Sequence, residues 1–342
     1  MTLAPQVRIA VSEASQAGEA RRVATRMAEA IGFDEQARGE VAIVATELAT
    51  NLARHGRDGR LLIQALDLSG GPTMEILSVD AGPGMTDVPR CLRDGYSTAG
   101  TPGNGLGAVR RLSSVFDVHS TAGAGTVVVA RLCRPASGSP SGPAAGRYEY
   151  AAISIPAPHE EVCGDTWRLA ESDGECAVLV ADGLGHGPLA AEAATRAAVA
   201  FDAEPFEDAT ALIERTHRAL SGTRGAALAV ARIGAGVHYT GVGNISGVLA
   251  GGERTRGLAS QNGTVGLQLR KVQPFDYEWP PRGLLVMHSD GISNRWQLDT
   301  YPGLAQRHPA IVAGVLWRDF GRGRDDATIV VVCRPKAGAA HD

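Results

Sequence analysis

A chain of 342 residues is long enough for two ordinary domains, since single cores rarely grow past roughly 250 residues. Its 44% hydrophobic and 20% charged residues are ordinary for a globular protein, and a formal charge of -4 argues against the basic stripe that nucleic-acid binding demands. Five cysteines without CxxC spacing, a start with no basic segment before an apolar core, and no run of about 18 apolar residues predict reduced, buried thiols in a cytoplasmic protein with no leader and no membrane span.

In chain order, residues 6–12 alternate like a strand, and residues 15–32 carry helical spacing with Ser15 as a cap. Residues 34–56 read as a long helix, with Asp34 near its start and Gly56 ending it. Strands follow at 60–68, 73–80, 115–121 and 126–132, with a short helix around 106–112. Helices on one face of a mixed or antiparallel sheet are the economical packing.

The segment RPASGSPSGPAAGR, Arg134 to Arg147, cannot bury enough apolar surface to offset its ordering entropy and reads as a linker. It predicts domains over 1–134 and 147–342 joined by 135–146. The second part shows strands at 147–155, 165–172, 176–182, 226–233, 236–243, 246–252, 284–290 and 327–335, with helices at 189–201, 208–221 and 310–320. Many strands with few helices between them predict two packed sheets flanked by helices, so the whole chain is of the α+β class.

Glu47 and Asn51 are four apart and project from one helix face, where a carboxylate and an amide can share a divalent cation and a water. An exposed polar pair accounts for them equally well. Asp80 ends a strand and leads into Gly82 and Gly84, a turn where a backbone can approach a flat ring and a carboxylate can accept an amino proton. A turn aspartate is the plainer account. Gly100, Gly103, Gly105 and Gly107 precede or open a helix, where unpaired N–H groups and the positive dipole end suit phosphate.

The order of these elements is more specific than any of them. ExxxN on a helix, DxGxG after a strand, a glycine loop before a helix, and Gly125-Thr126 leading a last strand resemble the GHKL ATPase family of histidine kinases, gyrase and Hsp90 chaperones. DAGPGM, DGYSTAGTPGNGLGAVRRL and VFDVHSTAGAGTVV are most similar to RsbT-like switch kinases of the anti-sigma and stressosome type, over nearly all of residues 6–134. The resemblance implies an α/β sandwich, Asn51 on Mg²⁺, Asp80 on the adenine amino group, and Glu47 as general base. Gly82, Gly84, Thr98, Gly103, Gly105, Gly107 and Thr126 would line the ATP site. No room exists for the helical dimerisation domain of a histidine kinase.

In the second part, Asp165, Asp182, Asp290 and Asp325 or Asp326 stand at strand ends or in loops, several beside glycine. Gly183 can turn its carbonyl oxygen to a metal as Asp182 offers carboxylate, and oxygen-only clusters suit Mg²⁺ or Mn²⁺. Two such ions about 4 Å apart can activate a water and clamp a phosphoryl group. Any one Asp-Gly reads as a turn. Four in the order Gly-Asp, ADGLGHG, HSDGI and RDDATIVVV resemble the PPM-type metal-dependent serine/threonine phosphatases of the SpoIIE-like and RsbX-like branch, over 148–334, with GVGNI at 241–245 a further family-like turn. That resemblance implies an αββα sandwich. His186 reads either as an acid for a leaving group or as a packing residue, and His288 as core.

Together the two resemblances imply a cytoplasmic switch protein that phosphorylates and dephosphorylates STAS-domain regulators, such as anti-sigma-factor antagonists or stressosome subunits. A sigma factor or a downstream phosphatase would be a further partner. The alternative is an N-terminal half that only binds a partner under ATP control, leaving the phosphatase as the sole activity.

Overall fold

The chain divides into two units, Met1–Ala145 and Gly146–Asp342. The computed structural model describes residues 5–68, 71–92, 105–134, 147–251, 255–280 and 283–335. The segment 135–146, and the loop with Thr98, Gly100 and Gly103, lie outside the described residues.

The first unit runs β1 (Val7–Val11), α1 (Ser15–Ala30), α2 (Glu35–His55), β2 (Gly59–Leu68), β3 (Gly71–Asp80), α3 (Val88–Cys91), α4 (Gly105–Leu112), β4 (Val115–Thr121) and β5 (Gly125–Cys133). Its sheet has the order β1-β2-β3-β5-β4, and every pairing is antiparallel, so of the two arrangements open from the sequence the mixed one does not form. Alternation in the strands sends Leu61, Ile63, Met74, Ile76 and Ala130 to the core under the helices. Opposite them α1 presents Ala17, Ala20, Ala24 and Ala28, a stripe small enough to let α2 approach. From α2 come Val41, Val44, Leu48 and Leu52, and each fully buried large aliphatic contributes about 1.5–3 kcal/mol. β3 and β5 also bury an ion pair: Arg131 Nε donates to Glu75 Oε2 at 2.7 Å, and Gln64 Nε2 donates to Glu75 Oε1 at 2.7 Å.

The helix ends differ from the sequence reading in one instructive place. Asp34 caps α2, its Oδ1 accepting from Ala37 N at 2.7 Å. Ser15, however, is already inside α1 and donates to Glu13 Oε1 instead. The turn starts earlier, with Gln16 N and Ala17 N already donating to Glu13 O and Ala14 O, and the Gln16 side chain reaches back to accept from Ser12 N at 2.6 Å and Glu13 N at 3.0 Å, so Ser15 lies past the boundary where a hydroxyl cap acts. Gly56 ends α2 in extended backbone, φ -79°, not the left-handed turn.

The second unit opens with β6 (Glu149–Ile155), β7 (Asp165–Ser172), β8 (Glu175–Gly183), α5 (Pro188–Ala203), α6 (Ala209–Ala219), β9 (Ala226–Ile233), β10 (Gly236–Val242) and β11 (Ser246–Ala250). Three short strands unannounced by periodicity follow, β12 (Arg256–Leu258), β13 (Ser260–Gln261) and β14 (Phe275–Glu278). β15 (Leu284–His288), α7 (Pro309–Phe320) and β16 (Ala327–Cys333) close the unit, with two one-turn helices between β15 and α7. One sheet is ordered β13-β10-β9-β8-β7 with β14 beside β10, the other β12-β11-β15-β16-β6. α5 packs on β7 and β8, and α7 packs on β6 and β16, while β16 and β6 meet β7 between the sheets.

The two-residue period of β8 assigns its faces: Ala177, Leu179 and Ala181 join Ala193, Ala197 and Phe201 under α5. Cys176, Val178, Val180 and then Asp182 must therefore face the opposite sheet. Of the five free thiols only Cys176 is fully buried, and the other four are half-buried, since each of those sits at an element end or in a loop. Among the described residues no helix is long and apolar enough to cross a membrane.

Candidate functional site

In the first unit, the end of α2 meets the end of β3. Ala81 N donates to Arg57 O at 2.8 Å, and a Cβ on Gly56 would lie 3.2 Å from the Asp80 Cβ. Asp80 is buried at the end of β3, opposite Thr126 in β5, and its Oδ1 closes the following turn by accepting from Gly82 N at 2.7 Å. Gly84 is required by conformation and space, with φ +67° and a would-be Cβ 2.2 Å from Thr121 O. Thr126 Oγ1 pairs with Ser120 Oγ at 2.8 Å, and Ser120 Oγ accepts from Met85 N at 2.7 Å, tying the DAGPGM turn to β4 and β5.

Glu47 and Asn51 sit half-buried on the side of α2 that faces the start of α4. A Cβ on Gly105 would lie 2.9 Å from Glu47 Oε2 and 3.7 Å from Asn51 Oδ1, so the two side chains converge on the first turn of that helix. Among the described residues Asn51 Nδ2 is buried without a partner, a cost of about 1–3 kcal/mol that a ligand reaching the amide would relieve. Gly107 is buried inside α4, whereas Thr98 and Gly103 fall outside the described residues. Glu47, Asn51, Asp80, Gly82, Gly84, Gly105 and Thr126 thus gather around the ends of α2, β3 and α4.

In the second unit the carboxylates collect at one end of the sandwich, between its sheets. Asp165 and Asp182 are cross-strand partners at the ends of β7 and β8, and side chains directly opposite share a face. Asp290 follows β15, and Asp325 and Asp326 precede β16. Burial first, and then Asp165, Asp290, Asp325 and Asp326 in turn, push the Asp182 carboxyl well above the usual range. Asp165 is raised too, chiefly by burial, and so is Asp326.

Three contacts orient these acids, and none was assigned a role from the sequence. Ser289 Oγ donates to Asp165 Oδ2 at 2.6 Å and accepts from Thr328 N at 3.0 Å. Asn244 Nδ2 donates to Asp290 Oδ2 at 2.8 Å, which puts the GVGNI turn beside the cluster. Ala157 N donates to Asp326 Oδ1 at 2.8 Å, holding the buried member of the Asp-Asp pair, while half-buried Asp325 accepts from Asp326 N at 3.0 Å. Adjacency in HSDG was the available sign for Ser289. Nothing local marks Ala157.

Among the described residues Asp165 Oδ1 and Asp326 Oδ2 are buried with no hydrogen bond of good geometry. Orphaned carboxylate oxygens amid mutually repelling acids fit a divalent cation, the partner that removes both penalties. Among the described residues no three acidic, histidine or cysteine side chains converge closely enough to enclose an ion. The fit is therefore to ions that keep several waters and take one or two carboxylates each, as Mg²⁺ does, with the Gly183 carbonyl as an added oxygen. Gly183 must be glycine, because a Cβ would lie 2.1 Å from Ala190 O where α5 starts. His186 Nδ1 pairs with Glu160 Oε1 at 2.5 Å on the exposed rim. His288 is fully buried, with Nδ1 donating to Ser289 O and Nε2 accepting from Trp296 Nε1, and burial lowers its pKa.

Residues 7–132 match the histidine kinase-like ATPase domain family, and residues 172–335 match the family of stage II sporulation protein E (SpoIIE). Serine/threonine-protein kinase RsbT of Bacillus subtilis is 32% identical over 111 residues, 32% of this chain and 84% of its own length. Phosphoserine phosphatase RsbX of the same organism is 27% identical over 139 residues, 39% of this chain and 69% of its own length. A chain from the structural description of the bacterial stressosome, a modular system adapted to control secondary messenger signalling, superposes with a TM-score of 0.51 at 25% identity, covering 54% of this chain and 98% of that one.

Proposed function

Because this chain belongs, through its first unit, to the RsbT family of histidine kinase-like serine/threonine kinases and joins to it a SpoIIE-type PPM phosphatase domain, we propose that it both adds and removes phosphate on serine or threonine of partner proteins. The observation that carries the phosphatase half is the buried carboxylate cluster with two orphaned oxygens. Asp165, Asp182, Asp290 and Asp325 or Asp326 would hold the metals with the Gly183 carbonyl, Asp326 offering the oxygen that Ala157 N leaves free. Divalent cations held there supply Lewis acidity to a phosphoryl group and activate water. The chain's own residues fix the geometry: Ser289 and Asn244 each occupy one oxygen of an aspartate and so decide which lone pairs face the site.

For the kinase half, Asn51 would carry Mg²⁺, Asp80 would read the adenine amino group, and Gly105 and Gly107 at the start of α4 would line the nucleotide. Glu47, beside Asn51 at the mouth of α4, takes the proton from the attacking hydroxyl. Positioning and charge neutralisation dominate phosphoryl transfer, so the amide and the loop matter more than the base. Substrates are STAS-domain regulators in the cytoplasm, on the strength of the RsbT and stressosome likenesses. An intact Glu47 weighs against a half that binds partners without catalysis.

The test is transfer from labelled ATP with Mg²⁺ to a STAS-domain protein, followed by its release in Mn²⁺. Glu47→Ala should bind Mg-ATP as the parent does and transfer about 10²- to 10⁴-fold more slowly. Asn51→Ala should lose Mg-ATP binding by calorimetry. Nucleotide binding with no transfer from the parent protein would overturn the kinase reading in favour of a binding module.

A further inference from the structure

The carboxylate centre has abundant negative charge and needs a cation of the protein's own to hold a phosphorylated substrate. Five aspartates stand there, so with all of them ionised two divalent ions leave no net positive charge for a phosphoryl dianion. His186 is already engaged with Glu160. We propose that Arg224, in the turn between α6 and β9, is the guanidinium that receives the substrate phosphoryl group beside the metal ions, an inference resting on the phosphatase reading above.

Three observations place Arg224 there. The end of β8 that carries Asp182 is paired with the start of β9, Gly183 opposite Ala226, so the residue two before Ala226 lies at the carboxylate end of the sheet. Leu184 N donates to Gly225 O at 3.0 Å, joining the loop after Asp182 to the turn bearing Arg224. In that loop Gly185, at φ +87°, leaves open the space its Cβ would fill 2.9 Å from Arg224 Nη1, so the guanidinium rests on the metal loop itself.

The turn is built to hold its shape. Gly222 and Gly225 take φ of +83° and +78°, conformations costly for other residues, and Gly225 N donates to Thr223 Oγ1 at 3.0 Å. Among the described residues the Arg224 side chain has no carboxylate or hydrogen-bond partner, and it is exposed. An anchored backbone with an unspent guanidinium suits fork-like recognition of two phosphate oxygens, which lysine, a point charge, reproduces only in part. Arg322 and Arg324, exposed in the turn before Asp325, are two further guanidinium groups near this end and serve as controls.

The experiment measures inorganic phosphate binding to the full chain loaded with Mg²⁺, by calorimetry, for the parent, Arg224→Gln, Arg224→Lys, Arg322→Gln and Arg324→Gln. Arg224→Gln should weaken phosphate roughly 10- to 100-fold, with metal affinity and thermal midpoint unchanged, and Arg224→Lys should recover part of the loss. The two control variants should bind phosphate as the parent does. No phosphate binding by the parent, an unchanged affinity in Arg224→Gln, or an equal loss in either control overturns the proposal. Phosphoserine hydrolysis by the parent, measured separately, reports on the phosphatase reading, so the two can fail independently.

Discussion

Each unit buries acidic side chains, and they are treated in opposite ways. Glu75 in the first unit is matched on both oxygens, by Arg131 and Gln64, and asks nothing of a ligand. Asp165 and Asp326 in the second unit each keep one buried oxygen without a partner, next to Asp182, whose neighbours are further carboxylates. A closed buried pair serves the fold, because breaking it strands a charge. An open acidic cluster costs the fold and persists only where something else binds it.

The largest effect expected from this contrast is at Asp182. Asp182→Ala should abolish phosphoserine hydrolysis at saturating Mn²⁺ while ATP-dependent transfer by the first unit persists. At alkaline pH, where Asp182 is ionised, the same change should raise the metal-free melting temperature of the second unit by about 2–4 °C for each kcal/mol of repulsion removed, read by calorimetry. A lower melting temperature would show that the cluster is structural after all.

Arg131→Ala should act in the reverse sense. It leaves the buried Glu75 without a countercharge, held by Gln64 only, and should cost about 3–5 kcal/mol of unfolding free energy in a denaturant titration, with phosphatase activity of the folded protein unaffected. Changing both partners to apolar residues, Glu75→Leu with Arg131→Met, should return most of that stability.

Ser289→Ala should leave the fold intact and weaken Mn²⁺ about 10- to 100-fold, because Asp165 loses the hydroxyl that orients it. Ser289→Thr should restore binding if the hydroxyl is the operative group. Equal metal affinity in parent and Ser289→Ala would remove Ser289 from the site.

The contrast also shows in pH. Asp165 and Asp182 hold protons above the ordinary carboxylate range in the folded, metal-free protein, so the folded state binds more protons than the unfolded one once pH passes about 4. Metal-free stability should therefore fall as pH rises from that point through the raised folded-state values. Metal binding must expel those protons, so Mn²⁺ affinity should climb over the same interval by at most about tenfold per pH unit for each proton released. Calorimetry in two buffers of different ionisation enthalpy would count the protons, and a count of zero would show that the acids are already ionised.

The elements themselves were largely legible in the sequence, because their signals are local. Alternation marked β1, apolar runs marked β2, β3, β8 and β16, Asp34 marked the start of α2, and the order of ExxxN, DxGxG and the Asp-Gly motifs pointed to two chemistries. Where two helix starts lay close together, local reading failed, as when the Gln16 side chain fixed a start before Ser15. Short strands β12, β13 and β14 carried too few residues for any period to show.

The environment of each side chain was decided only in three dimensions. Alternation along β8 says that Asp182 points away from Ala181, yet closure of two sheets is what buries it and sets Asp165, Asp290, Asp325 and Asp326 around it. Ser289 and Asn244 gained their partners, and Arg224 its place beside Gly185, from strand register and loop crossings spanning tens of residues. Residue type and spacing determine which groups are available for chemistry. Desolvation and the charges brought near by tertiary contact determine what those groups become, since both depend on neighbours that only the folded chain supplies.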